Sequence, residues 1–140
     1  RDVTLDLIQD GITAVEKNGG DVKMIVSSHD LRDTYVSLVT ADKRFVNTLT
    51  LDGGWKALEY SSGGNGIAWV ADVDCPPNTL FFVDTDHLKI MEMSDWDWMN
   101  EDGAILSRVS DADAYEAVLF WYSELATDRP RAHTFLRDVQ

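Results

Sequence analysis

The sequence has few of the residues that stabilise small domains through disulfides or bound transition metals. It contains one cysteine, Cys75, and three histidines among 140 residues. A single cysteine excludes an internal disulfide framework and fits a reducing compartment. No histidine has a second histidine or a cysteine at zinc-ligand spacing, which argues against a transition-metal site. The chain must therefore be stabilised by a packed core.

Basic residues are also scarce. Lysine and arginine number 12 against 25 aspartates and glutamates, which gives a net charge of −13. A surface this acidic repels phosphate backbones, so we expect no specific nucleic-acid site. No apolar run approaches the ~20 residues that a membrane-crossing helix needs. No secretory signal is visible, and we expect no membrane partner.

Catalytic signatures are missing as well. No serine lies in a G-x-S-x-G elbow, and no glycine-rich stretch matches a phosphate-binding loop. We therefore expect no catalytic residues, no cofactor and no metal.

Four Asp-x-Asp pairs leave one alternative open, a divalent-metal-dependent transferase that uses such a pair. Residues two apart in a strand share a face, so each pair could present two carboxylates to a cation. Aspartate is also favoured at strand ends and turns for its own backbone hydrogen bonds. The pairs are Asp72/Asp74, Asp84/Asp86, Asp95/Asp97 and Asp111/Asp113.

Apolar residues make up 44% of the chain, enough for one domain with a core. The stretch Gly66–Asp84 predicts two strands, buried on both faces and joined as a hairpin by a turn at Pro76–Pro77. Apolar spacing predicts a helix over Asp2–Lys17, closed at Gly19–Gly20. Gly11 inside this helix indicates either a close neighbour or a tolerated glycine.

A strand over Val22–Val26 leads into a second helix, capped by Ser27 or Ser28, with its inner stripe at Leu31, Tyr35, Leu38 and Val39. The remaining predicted elements are strands at Phe45–Leu51 and Trp55–Tyr60, a loop tip at Ser61–Gly66, a hairpin of His87–Met93 with Ala104–Val109, and a last strand within Ala132–Val139. Tyr115–Leu125 is compatible with a helix or a long strand, and its aromatic content favours the strand.

Five tryptophans stand out in a chain of this size. We expect Trp69 and Trp121 in the core. Trp96 and Trp98 are two apart between acidic residues, so they share one face of a strand, where tryptophan is either an interface anchor or a core residue.

Three segments together resemble the second half of a tailed-phage major capsid protein of the Hong Kong 97 type. They are LDLIQDGITAVEKNGGDVKMIVSSHDLRDTYVSLV, GIAWVADVDCPPNTLFFVDTDHLKI and MSDWDWMNEDGAILSRVSDADAYEAVLFWYSELATDRPRAHTFLRDV. The resemblance implies an α+β fold, a mixed sheet with two flanking helices and a long-strand C-terminal extension. It implies an axial-domain unit over 1–93, peripheral-domain strands over 94–140, and a strand at Tyr115–Leu125. The family's N-terminal arm, extended loop and spine helix would precede Arg1.

The resemblance also implies a structural role and not an enzyme. Copies of the chain would assemble into pentamers and hexamers of an icosahedral shell around DNA, built in the host bacterial cytoplasm and found in the virion. Loops around Asp52–Gly54 and Ser61–Gly66 would approach the capsomer axis, with Trp55 and Tyr60 as subunit contacts. An encapsulin-like nanocompartment shell, which shares the fold, is a further alternative.

Overall fold

The computed structural model describes residues 1–41, 47–51, 56–62, 65–100 and 103–140. These residues separate into two compact units, Arg1–His87 with Arg129–Gln140 and, separately, Leu88–Asp128. The helices are α1 (Leu5–Lys17) and α2 (His29–Ala41), with short 3-10 turns at Thr85–His87 and Pro130–Ala132. The strands of the first unit are β1 (Met24–Ser27), β2 (Asn47–Thr50), β3 (Lys56–Ser62), β4 (Asn65–Ala71), β5 (Leu80–Val83) and β10 (Thr134–Leu136). Those of the second unit are β6 (Leu88–Trp98), β7 (Ser107–Arg108), β8 (Tyr115–Glu116) and β9 (Leu119–Thr127).

The first unit is built on a six-stranded mixed sheet in the order β10-β5-β1-β4-β3-β2. β1 and β4 run parallel, and the other neighbouring strands are antiparallel. Two helices and a mixed sheet confirm the expected α+β class. Within the described ranges, no helix is long and apolar enough to cross a bilayer.

The predicted hairpin over Gly66–Asp84 is wrong. β4 and β5 do not pair, because β1 lies between them and is hydrogen-bonded to both. Stepping over one strand means spanning about 10 Å, which the connection between Ala71 and Leu80 is long enough to do. In β5, Leu80 and Phe82 are buried whereas Phe81 and Val83 are half-buried, so the strand does not have two buried faces.

The helix α1 forms where the apolar spacing predicts. Thr4 is its N-cap, with Oγ1 accepting the Leu7 N–H at 3.1 Å, and Gly19 follows its end at φ 76°. Gly11 packs directly on the Phe82 ring, since a Cβ there would lie 2.6 Å from the nearest ring atom. The close neighbour that Gly11 indicated is therefore Phe82.

The helix α2 covers the same face of the sheet as α1. Ile25 of β1 is paired with both Trp69 and Phe82, so these three side chains share a face. The Tyr35 ring of α2 stacks on Trp69 with centroids 4.4 Å apart. The buried residues of the predicted α2 stripe are Leu31, Tyr35 and Val39, and Leu38 is partly buried.

The second unit is based on an antiparallel ribbon of β6 and β9. The predicted hairpin of His87–Met93 with Ala104–Val109 is wrong, because β6 pairs with β9 and the short β7 pairs with β8. The strand expected within Tyr115–Leu125 is confirmed, and most of it is β9. The last strand is confirmed as β10, which returns to the first unit beside β5.

The two units do not have the bounds expected for the domains. The expected boundary after residue 93 falls inside β6, and residues 129–140 belong with the first unit because β10 pairs with β5. The assignment of 1–93 and 94–140 to axial and peripheral domains stays a prediction.

Candidate contact surfaces

The structure describes only one of the two residues predicted as subunit contacts, which is Tyr60. Trp55 lies outside the described residues, as do Asp52–Gly54 and part of the Ser61–Gly66 loop. Tyr60 lies in β3 with 8% of its surface exposed, and its ring centroid is 6.0 Å from that of Tyr35. Its hydroxyl is 3.4 Å from Oε1 of Gln9. Tyr60 is thus part of the core of this chain, and its role in a subunit contact stays a prediction.

The Asp84/Asp86 pair organises the backbone at the end of β5. The buried Asp84 carboxylate accepts the Asp21 N–H at 3.0 Å and the Asp86 N–H at 3.1 Å, while Asp86 pairs with Lys23. Burial raises the pKa of Asp84, but these backbone donors, with His87 and Lys23, outweigh burial and lower it overall. This carboxylate is therefore held ionised as a structural acceptor.

The other Asp-x-Asp pairs also accept local hydrogen bonds. Asp72 accepts the Asp74 N–H at 2.9 Å, and Asp111 accepts the Ser110 hydroxyl at 2.8 Å. Asp95 and Asp97 accept the N–H groups of the residues that follow them, at 2.7 and 2.8 Å. In the part of the chain that the structure describes, no group of three His, Cys, Asp or Glu side chains could hold a metal ion.

Cys75, His87 and His133 also interact with nearby groups of the first unit. Burial, with the charge of Asp72, raises the pKa of the Cys75 thiol, which disfavours the nucleophilic thiolate. His133 Nδ1 accepts the Asp84 N–H at 3.3 Å, and His87 Nε2 lies 3.9 Å from an Asp84 carboxylate oxygen. His29 is the first residue of α2.

A cavity of about 610 Å³ opens on the first unit beside α2 and β3, and we call it the α2–β3 pocket. Its size is within the range of small-ligand pockets. Arg32 and Lys56 are its basic residues, and Arg32 is paired with Asp33 at 2.7 Å. The apolar part of its lining includes Val36, Leu51, Leu58 and Trp69. Leu51 and Lys56, which also line the pocket, are the described residues on either side of the predicted axial loop.

The second unit carries an exposed apolar face on its ribbon. Residues 119, 121 and 125 of β9 alternate onto one side of the strand. Leu125 is paired with Ile90, Leu119 with Trp98, and Trp121 stacks on Trp96 with ring centroids 5.1 Å apart. We call this set the tryptophan face: Ile90, Trp96, Trp98, Leu119, Trp121 and Leu125. All but the half-buried Trp121 are exposed.

One polar atom on the tryptophan face lacks a partner. The indole N–H of Trp121 is shielded from solvent, and it has no acceptor among the residues that the structure describes. A buried donor without an acceptor costs about 1–3 kcal/mol. This cost sets Trp121 apart from Trp69, whose indole N–H donates to Ser27 Oγ at 2.8 Å.

Sequence reasoning found part of these surfaces. It placed Trp96 and Trp98 on one strand face, and it placed Trp69 correctly in the core. It missed Ile90, Leu119 and Leu125 because it paired β6 with the wrong partner. A signal was present in the strand lengths, since β6 has 11 residues and β9 has nine, whereas β7 and β8 have two each.

Comparison with known proteins gives a likeness of fold. No protein family model matches the sequence, and no curated protein matches it significantly. Among solved structures, the chain is similar to a chain of the cyanophage A-1(L) capsid asymmetric unit, with a TM-score of 0.57 and 19% identity. The match covers 99% of this chain and 48% of that chain, so the sequence spans about half the length of the capsid chain. At this identity the likeness shows a phage capsid-like fold.

Proposed function

We propose that this chain is the shell-forming part of a tailed-phage major capsid protein of the Hong Kong 97 type. The observation that carries the proposal is the similarity of fold to the cyanophage capsid chain over 99% of the sequence. Copies of the protein assemble into pentamers and hexamers of an icosahedral shell in the host bacterial cytoplasm, and they remain in the virion. The role is structural and uses no cofactor.

The charge and the polar groups agree with a container and not with a catalyst. With a net charge of −13, a shell wall made of this protein would repel the phosphate backbone of the enclosed DNA and not bind it. The carboxylates that a metal-dependent transferase would use are instead acceptors for nearby donors, as Asp84 is for Asp21 and Asp86.

We assign the first unit to the axial domain and the second unit to the peripheral domain. The first unit has the two-helix mixed sheet that the resemblance implies, and the second has the long ribbon. In this assignment the α2–β3 pocket lies next to the capsomer axis. It receives an apolar side chain of the adjacent subunit, with Trp55 as the candidate from the neighbouring loop. A buried aromatic anchor of this kind contributes ~2 kcal/mol or more.

Electron microscopy and sedimentation velocity of the protein in its natural length, expressed alone, test the proposal. We expect closed shells or capsomer rings. Val36→Trp, which fills the α2–β3 pocket, should reduce assembly, whereas Val73→Trp at a position that is 84% exposed should not. A strict monomer at high concentration would contradict the proposal. Micromolar manganese binding that Asp84→Ala or Asp72→Ala abolishes would favour the transferase instead.

A further inference from the structure

The α2–β3 pocket is formed by regular elements of the first unit alone. Its lining comes from α2, β1, β3 and β4, with β2 at one side. Val36 and Leu58 are half-buried and pack against the hydrophobic core, so this part of the apolar lining is held in place by the core. A cavity of about 610 Å³ with such a lining has the size and character of a preformed site for a small organic ligand.

The charged residues of the pocket are positive overall, although the chain is acidic. They are Arg32, Asp33 and Lys56, which give two positive charges and one negative charge. Arg32 donates from Nε and Nη2 to Oδ1 of Asp33, at 2.9 and 2.7 Å. A guanidinium has five N–H donors, so three of them remain for a further acceptor. Lys56 forms no ion pair with another described residue. The pocket therefore combines an apolar lining with cationic donors that an anion can engage.

Cavities in the second unit have the opposite charge. One cavity beside β7 and β8 is lined by Arg108, Asp111 and Asp113, and one on the ribbon is lined by Glu92 and Glu124. Each of these two cavities carries a net negative charge. A small anion is therefore attracted to the α2–β3 pocket and repelled by the two cavities of the second unit.

We propose that the α2–β3 pocket of the single chain binds a small apolar anion. The ligand is a carboxylate or sulfonate with an aromatic or aliphatic body, which contacts Val36 and Leu58 while the anionic group meets Lys56 and Arg32. Burial of the apolar body supplies most of the affinity, and the cationic donors favour an anion over a neutral analogue. The inference needs no second copy and so goes beyond shell formation. One consequence rests on the proposed function: in a shell, this ligand and the side chain of the adjacent subunit compete for the pocket.

Methyl NMR titration of the full chain with two dyes of the same ring system tests the inference. The anionic probe is anilinonaphthalene sulfonate, and the neutral probe is phenylnaphthylamine, which lacks the sulfonate group. The anionic probe should shift the methyl signals of Val36 and Leu58 in a saturable way. Shifts confined to methyl groups of the ribbon, such as those of Leu119 and Leu125, would place the probe on the second unit and overturn the inference. Absence of binding would overturn it as well.

A matched pair of lysine variants tests the preference for an anion. Lys56 and Lys17 are both exposed in the first unit, but Lys17 ends α1 and does not line the pocket. Lys56→Gln should weaken binding of the anionic probe about fivefold and change binding of the neutral probe less than about twofold. Lys17→Gln should change binding of either probe less than about twofold. Equal effects of the two variants, or an equal loss for both probes in Lys56→Gln, would contradict the proposal.

Filling the cavity separates this pocket from other apolar surfaces of the chain. Val36→Trp should weaken binding of both probes about tenfold or more, whereas Val73→Trp, at a position that is 84% exposed and outside the pocket, should change it less than about twofold. Urea midpoints show whether Val36→Trp remains folded, and Thr48→Trp, at an exposed position of the lining, replaces it if it does not. Unchanged binding in the filled variant would overturn the inference. Capsid assembly is tested separately by microscopy, so either proposal can fail without the other.

Discussion

The two units handle their aromatic residues in opposite ways. In the first unit, Trp69 is 1% exposed, stacks on Tyr35 and donates its indole N–H to Ser27. In the second unit, Trp121 stacks on Trp96, which is 59% exposed, and its own indole N–H has no acceptor among the described residues. The same side chain therefore completes a core in one unit and presents a surface in the other.

The difference follows from the number of layers. Two helices cover one face of the six-stranded sheet, so α1 and α2 give Phe82, Ile25 and Trp69 a dry environment. The ribbon is a single layer, and alternation along β6 and β9 places apolar side chains where its own residues do not cover them. The first unit thus buries most of its large apolar side chains, whereas the second unit leaves many of them exposed.

Replacing one tryptophan by alanine in each unit should give the largest difference in the free energy of unfolding between the two units. Trp69→Ala should lower the free energy of unfolding by about 3–5 kcal/mol, since it leaves a cavity and removes the indole N–H that donates to the buried Ser27 hydroxyl. Trp96→Ala should cost about 1 kcal/mol or less, because only its stacking on Trp121 is lost. Urea denaturation followed by circular dichroism measures both. Equal losses would mean that the ribbon is as tightly packed as the sheet.

The contact between Gly11 and Phe82 tests how tightly the first unit is packed. Gly11→Ala should destabilise the fold by about 1–3 kcal/mol, because the added methyl group meets the Phe82 ring. Phe82→Leu should make the same Gly11→Ala change less costly, and a double-mutant cycle measures this coupling. If Gly11→Ala instead stabilised the chain by about 1 kcal/mol through helix propensity, the ring must move aside easily. Glu16→Ala, exposed on the same helix, serves as the control.

Asp84 makes a pH-dependent contribution to the stability of the first unit. Its folded-state pKa is lowered, so the stabilisation is complete above the unfolded-state value of about 4 and is lost as pH falls through the folded value. Asp84→Asn should cost about 1–2 kcal/mol at pH 7, and this cost should shrink below about pH 4. Urea midpoints across the pH range measure the gap. The exposed Asp74→Asn should show no such trend, and a gap for Asp84→Asn that is independent of pH would contradict the proposed role of its charge.

The smallest effect is expected on the tryptophan face itself. Leu125 is 67% exposed, so Leu125→Ser should change the free energy of unfolding by no more than about 0.5 kcal/mol. Chemical denaturation of the full chain measures it, with Leu80→Ser in the buried strand β5 as the contrasting variant. A loss above about 2 kcal/mol for Leu125→Ser would show that the ribbon depends on its exposed face.

Local patterns in the sequence predicted single elements well and pairings poorly. The spacing of Ile8, Ile12 and Val15 predicts α1, and the aromatic run after Tyr115 predicts β9. Neither pattern says which strand lies beside which. The sequence predicted the strand β1 but not its position between β4 and β5. Backbone hydrogen bonds between strands are the same for any side-chain pattern, so the pattern does not determine which strands are neighbours.

The contact surfaces could be predicted only in part, because the sequence pattern did not show which strands pair. Trp96 and Trp98 share a face by their spacing alone, whereas Ile90 and Leu125 join them only through the pairing of β6 with β9. Tyr60 was predicted at an interface from its place near a loop, and the structure describes it in the core of this chain.

The sequence by itself determined the acidic charge, the two amphipathic helices and the absence of disulfide cross-links, because composition and short-range periodicity fix these properties. Only the tertiary structure decided that β1 enters the middle of the sheet and that β10 returns to its edge. It also decided that six apolar side chains meet on one side of a ribbon. These arrangements depend on contacts between residues far apart in the chain, where the energy of pairing depends on the whole set of neighbours.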